Sequence, residues 1–205
     1  MEADDTIRRA VDAICNGEPV LLPTDTVYGL ATSAEREEYA VRLYRLKGRA
    51  GAQPTALLAA SVDRLLECLP ELTGRDAVIA RALLPGPYTL ILSNPAHRYP
   101  WLTGTRTDAI GVRVPELPEL AARVLDGVGW VLATSANEPG GPSPATLDDV
   151  PSRLRDACAA ELDAGRLAGT PSTVIDFTGA DPVVIRDGAA LAAEALARVR
   201  RALAA

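Results

Sequence analysis

Lys47 and Arg49 set an ammonium and a guanidinium two positions apart. Such a pair can grip different oxygens of one polyphosphate, the first as a point charge and the second as a planar fork. Lys47 is the chain's only lysine, since the other 20 of its 21 basic residues are arginines. Three more polar clusters accompany it: Thr24-Asp25-Thr26-Val27-Tyr28, Ser135-Ala136-Asn137, and Ser172-Thr173 with Arg186. The hydroxyl and carboxamide of Ser135 and Asn137 can donate to phosphate or ribose oxygens, and the nearby glycines let backbone approach a ligand. Each cluster also has a plainer account. Basic residues at a helix end favour the helix dipole, and Ser-x-Asn is ordinary turn material.

Other chemistries find little support. His97 is the only histidine and falls among Pro95, Tyr99 and Pro100, in a loop, which weighs against histidine acid/base or metal chemistry. Cys15, Cys68 and Cys158 are too few and too dispersed for a zinc site or a disulfide framework, so they read as small buried hydrophobes in a reducing compartment. There is no Gly-x-x-x-x-Gly-Lys-Ser/Thr loop, no Gly-x-Gly-x-x-Gly and no nucleophile elbow. The residues by themselves lead to an anion pocket in an α/β domain and no further.

The elements that must position these clusters follow from periodicity and turn chemistry. Ile7, Ala10, Val11 and Ile14 recur at helical spacing, predicting a helix from Thr6 to Asn16 with Thr6 as N-cap and Gly17 past its end. Pro19 to Pro23 reads as a buried strand that delivers the chain into a polar loop from Thr24 to Thr26. A second helix from about Glu35 to Lys47 turns Val41, Leu43, Tyr44 and Leu46 inward and ends beside Gly48. Strands are predicted over 55–60, 88–93, 110–114 and 130–134, and helices over 62–69, 75–84 and 117–125. A loop over 135–144, a helix over 147–160, closing strands over 173–177 and 183–185, and a helix over 190–204 complete the chain. Residues 1–205 thus read as one α/β domain without repeat or linker, its polar clusters gathered at element ends where open α/β sheets bind ligands.

Composition bounds the setting. The 205 residues are 48% hydrophobic and 23% charged, enough for one sizeable core. A net charge of -6 argues against a nucleic-acid coat while leaving room for a local basic cavity. An acidic start and the lack of any bilayer-length apolar run lead to the expectation of a soluble, cytoplasmic protein with no membrane partner.

Pro23-Thr-Asp-Thr-Val-Tyr-Gly-Leu30 resembles the opening motif of the YrdC-like family, and six shorter elements follow in that family's order. They are Lys47-Gly-Arg49, Pro85-Gly-Pro-Tyr-Thr-Leu90, Gly111-Val-Arg-Val-Pro115, Thr134-Ser-Ala-Asn137, Ser172-Thr-Val-Ile-Asp176, and Ile185-Arg186 with Gly188. The resemblance implies the YrdC-like fold, a single twisted sheet with flanking helices and a concave ligand cavity. It implies synthesis of a threonylcarbamoyl adenylate from L-threonine, bicarbonate and ATP, with Mg²⁺ accompanying ATP. The expected partners are tRNA-modification proteins, with at most a weak RNA contact. Carried over motif by motif, Lys47, Arg49, Gln53, Ser135, Asn137 and Arg186 hold ATP, with Lys47 and Arg49 catalytic, while Thr26, Arg113 and Ser172 hold threonine. Ala50 stands where the family usually has proline, Leu58 where some members have histidine, and Ala109 and Ala145 where a hydroxyl is common, each missing hydroxyl removing one hydrogen bond worth roughly 0.5–1.5 kcal/mol.

Overall fold

The computed structural model describes residues 2–48 and 53–205. In chain order these form α1 (Glu2–Cys15), β1 (Val20–Pro23), β2 (Tyr28–Thr32), α2 (Glu37–Leu46), β3 (Ala56–Ala59), α3 (Val62–Cys68), α4 (Gly74–Leu83), β4 (Tyr88–Ser93), β5 (Ala109–Arg113), α5 (Glu119–Val128), β6 (Trp130–Ser135), α6 (Ser152–Arg155), β7 (Ala160–Glu161), β8 (Thr173–Asp176), β9 (Val183–Arg186) and α7 (Ala192–Leu203). The strands make one sheet in the order β7-β1-β2-β6-β3-β5-β4-β8-β9. Pairing is mixed: β1–β7, β3–β5 and β4–β8 are parallel and the remaining neighbours antiparallel.

Alternation along the strands divides the sheet into two faces with different fates. On one, Leu30, Leu57, Leu90, Val112, Leu132 and Ile175 are fully buried with Leu43, Tyr44, Leu65, Ile79, Leu83 and Val199 of α2, α3, α4 and α7. Each such Leu, Ile or Val contributes about 1.5–3 kcal/mol by leaving water, so this face anchors the fold. On the other face, Val20, Leu22, Ala31, Leu58 and Val131 pack under Ala10, Ala13 and Ile14 of α1 and Ala121, Val124 and Leu125 of α5. That second cover stops at β3. Beyond it Ala109 and Gly111 on β5, Thr89 and Ile91 on β4, and Val174 on β8 line a cavity instead of a core.

Several elements differ from the sequence expectation, each for a physical reason. α1 starts at Glu2, so Thr6 lies within the helix and caps nothing at its start. β2 has no counterpart among the predicted elements, because Tyr28–Thr32 is buried at every position and shows no alternation to read. The helix predicted over 147–160 is instead a 3-10 turn over Leu147–Asp149, the single turn α6 and the two-residue strand β7. Pro151 breaks it, since proline cannot donate to the preceding turn and holds Val150 in extended backbone (ψ 126°). Val41 is half-buried, with Ala40 taking the inward position on α2. Cys15 is exposed, contrary to the expectation of three buried thiols, while burial pushes Cys68 and Cys158 up to about 12. No helix among the described residues is long and apolar enough to cross a membrane.

Gly188 shows how closely the last strands are fitted. A Cβ there would lie 2.3 Å from the Pro171 carbonyl oxygen and 2.5 Å from the Thr173 nitrogen, backbone atoms that cannot swing away. Gly188→Ala is therefore expected to lower unfolding stability by about 1–3 kcal/mol in urea titrations, the usual cost of overpacking. An unchanged midpoint would contradict the close approach.

Candidate active site

The uncovered part of the sheet forms a cavity of about 360 Å³, within the range of small-molecule sites. Its floor is made of small residues, Gly29, Ala56, Ala109, Gly111 and Ala133, which leave the space that larger side chains would fill. Polar groups reach it from the sheet's strand ends and turns. Of the residues expected to hold ATP or threonine, Arg113, Ser135, Ser172 and Arg186 line it, as do Thr24 and Val27 of the first polar cluster.

One group gathers around Arg113. This last residue of β5 is 7% exposed, and its Nη2 donates to Asp25 and, at 2.7 Å, to Thr26 Oγ1. Those acceptors come from the turn between β1 and β2, which is knotted locally by Thr24. The Thr24 hydroxyl donates to the Val27 carbonyl (2.8 Å), accepts the Val27 and Thr26 N–H groups (3.2 Å each), and meets the Thr26 hydroxyl at 2.9 Å. Thr26 itself is fully buried and reaches the cavity through Arg113. Burial pushes the Arg113 pKa down; Asp25 opposes that shift and the neighbouring charge of Arg186 adds to it.

A second group links β8, β9 and β4. Arg186 donates from Nε (3.0 Å) and Nη2 (2.7 Å) to the Ser172 carbonyl, and from Nη2 to the Ser172 hydroxyl at 3.1 Å. That hydroxyl lies 2.8 Å from Thr89 Oγ1. Burial lowers the Arg186 pKa too. Three arginines line the cavity, Arg106 paired with Asp176 and Arg113 with Asp25, so Arg186 adds a positive charge suited to an anion.

The third group is the exit of β6. Lys47 is 0% exposed, and its ammonium donates to the Ser135 carbonyl at 2.7 Å, to the Asn137 carbonyl, and to Asn137 Oδ1 at 3.2 Å. Ser135 Oγ donates to the same Oδ1 at 2.6 Å, and Asn137 Nδ2 donates to the Gly141 carbonyl at 2.7 Å. Lys47, the residue expected to hold phosphate, binds the Ser135–Asn137 loop as well. Asn137 is not among the lining residues, and Gln53 is exposed and directly precedes Pro54 and Thr55, which line the cavity. Arg49 and Ala50 lie outside the described residues.

Leu58 and Ala109 line the cavity, as their place among the motif departures suggested, whereas Ala145 does not. Sequence reading included Asp25 and Thr89 in its motifs without giving either a role, and it missed Arg106. Asp25 lay in plain view inside the opening motif, and Thr89 is signalled by a hydroxyl on the alternating run of β4. Arg106 carries no such signal, because only the fold brings its loop to Asp176 (2.7 Å) at the cavity wall.

With that geometry in hand, comparison with known proteins is informative. The Sua5/YciO/YrdC family model, described as telomere recombination, matches residues 12–188. A Mycobacterium tuberculosis relative, named provisionally as a threonylcarbamoyl-AMP synthase, is 36% identical over 185 residues, 87% of this chain and 82% of its own. The threonylcarbamoyl-AMP synthase of Pyrococcus abyssi is 33% identical over 184 residues, covering 89% of this chain but only 54% of the relative. The crystal structure of P. abyssi Sua5 complexed with L-threonine superposes with a TM-score of 0.80 at 32% identity, over 94% of this chain and 56% of that one. The chain therefore spans little more than half the length of the Pyrococcus protein.

The burial of Lys47 gives a measurable expectation. Lys47→Ala removes a charge-assisted contact and strands buried carbonyl oxygens, so it should cost about 1.5–3 kcal/mol of stability by urea denaturation. A loss below about 0.5 kcal/mol, the usual range for a surface position, would contradict the clamp.

Proposed function

Because the chain belongs to the Sua5/YciO/YrdC family, we propose that it converts L-threonine, bicarbonate and ATP into threonylcarbamoyl-AMP and pyrophosphate, a precursor for tRNA modification. The observation that carries this reading is a cavity walled by the buried Arg113 and the more exposed Arg186 and floored by small residues. A carboxylate and a polyphosphate are the ligands such a wall favours.

The reaction needs no protein nucleophile. The amino nitrogen of threonine bonds to the bicarbonate carbon with loss of water, giving a carbamate. A carbamate oxygen then attacks the α-phosphorus of ATP, and the bond to the β-phosphate breaks to release pyrophosphate. On this reading Arg113 holds the threonine carboxylate, with Thr26 and Ser172 completing the threonine site. On the same reading Ser135 and Arg186 receive phosphate oxygens and stabilise charge as it builds at phosphorus. Lys47 acts through the loop it fixes. A carbamate decomposes readily in water, so the partly enclosed cavity also protects the intermediate.

Among the described residues no group of three His, Cys, Asp or Glu side chains could hold a metal ion. On this reading Mg²⁺ arrives with ATP, neutralising triphosphate oxygens, and the protein grips the phosphates. The same reading has the product pass to tRNA-modifying proteins, with RNA contact weak at a net charge of -6.

The purified protein, incubated with MgATP, should release pyrophosphate only when L-threonine and bicarbonate are both present, and mass spectrometry should find threonylcarbamoyl-AMP. Equal release with either one omitted would reject the synthase. Tight RNA binding that survives high salt, without turnover, would point to an RNA-binding module.

A further inference from the structure

Asp25 has no part in the chemistry above, yet it is the carboxylate bonded to the most buried guanidinium of the cavity. The two side chains are 9% and 11% exposed, Arg113 and Asp25 respectively. Oδ1 of Asp25 accepts from Arg113 Nη2, and Oδ2 accepts the Glu116 N–H at 3.3 Å. The carboxylate therefore joins the β1–β2 turn both to the last residue of β5 and to the chain three residues beyond it.

A guanidinium is a rigid planar fork, so holding one nitrogen aims the others. Nη2 is committed, to Asp25 and to Thr26. Nε is buried without a hydrogen-bond acceptor among the described residues. Nη1 also donates to none of them and is not sealed in, so it is the nitrogen that Arg113 offers to the cavity it lines. Were Nη2 released, rotation about the side chain would carry Nη1 away from that direction.

We propose that Asp25 is a positioning residue: it holds Arg113 by Nη2 so that Nη1 is presented to the carboxylate of the amino-acid substrate. The inference rests on the reading that this cavity binds an amino acid. It differs from two simpler roles. A carboxylate that only neutralised Arg113 would weaken attraction for an anion, and one that only braced the turn would affect stability without affecting affinity.

Asp25→Asn separates the three, because it keeps shape and an acceptor oxygen while removing the charge that makes the contact strong. The expected result is a KM for L-threonine raised about tenfold, with kcat and the KM for ATP retained. Asp25→Ala should raise it further. A KM that falls would make Asp25 a charge neutraliser, and a lower melting temperature with unchanged KM would make it a brace. Either would overturn the proposal. Hindered rotation of the Arg113 guanidinium, read from its Nη resonances by nitrogen-15 NMR in the ligand-free protein, gives a second measure. Slow rotation in the parent protein and fast rotation in Asp25→Asn is expected, and equal rotation in both overturns the inference. Failure of the parent protein to use threonine would sink the function, while the rotation measurement would still decide the role of Asp25.

Discussion

A full positive charge shut away from water must be surrounded by oxygen, and the ammonium of Lys47 imposes that demand on everything near it. It is met at the exit of β6, where the Ser135 and Asn137 carbonyls and the Asn137 side chain turn toward Nζ. Desolvating an ammonium costs several kcal/mol, which offsets part of what the contact contributes, and any arrangement that leaves the charge unmet is penalised. The consequence is specificity of shape. The end of α2 and the end of β6 are drawn together, and the Ser135–Asn137 loop is held in one conformation, closed further by the Asn137 contact to Gly141. An arginine's broader fork would not fit the same three oxygens, which is reason enough for one lysine in a chain otherwise built with arginine.

The cavity beside this loop exists because of a division of labour between helices. α1 and α5 cover one end of the sheet's second face and leave the rest open, while the opposite face is fully packed and keeps the sheet from collapsing. Small residues on β3, β5 and β6 keep the opening deep. Its electrostatics come from the ends of strands, where Arg113 is buried against Asp25 and Arg186 stays more exposed and bonded to Ser172. Asp25 and Ser172 steady them, and a ligand carboxylate or phosphate completes the charge balance.

Much of this was legible in the sequence, and the parts that were not share a cause. Helices with a wet face, such as α2 and α5, announced themselves by period, and the polar clusters marked strand ends correctly. β2 was hidden because burial on both faces erases alternation. The segment around Pro151 misled because its apolar spacing suited a helix that proline forbids. Arg113, Ser172 and Arg186 were found through their motifs and do line the cavity. The grip of Lys47 on the Ser135–Asn137 loop could not be read, because a lysine that braces a loop and one that meets a ligand have the same sequence. Arg106 became visible only when β8 brought Asp176 to it.

The most direct measurement is a crystal structure of the protein with L-threonine, Mg²⁺ and a non-hydrolysable ATP analogue. The threonine carboxylate should lie within hydrogen-bond distance of Arg113 Nη1, with the triphosphate against the Ser135–Asn137 loop and Lys47 still beneath it. An empty cavity at saturating ligand, or threonine and nucleotide bound away from Arg113 and Ser135, would contradict the assignment of this cavity as the active site.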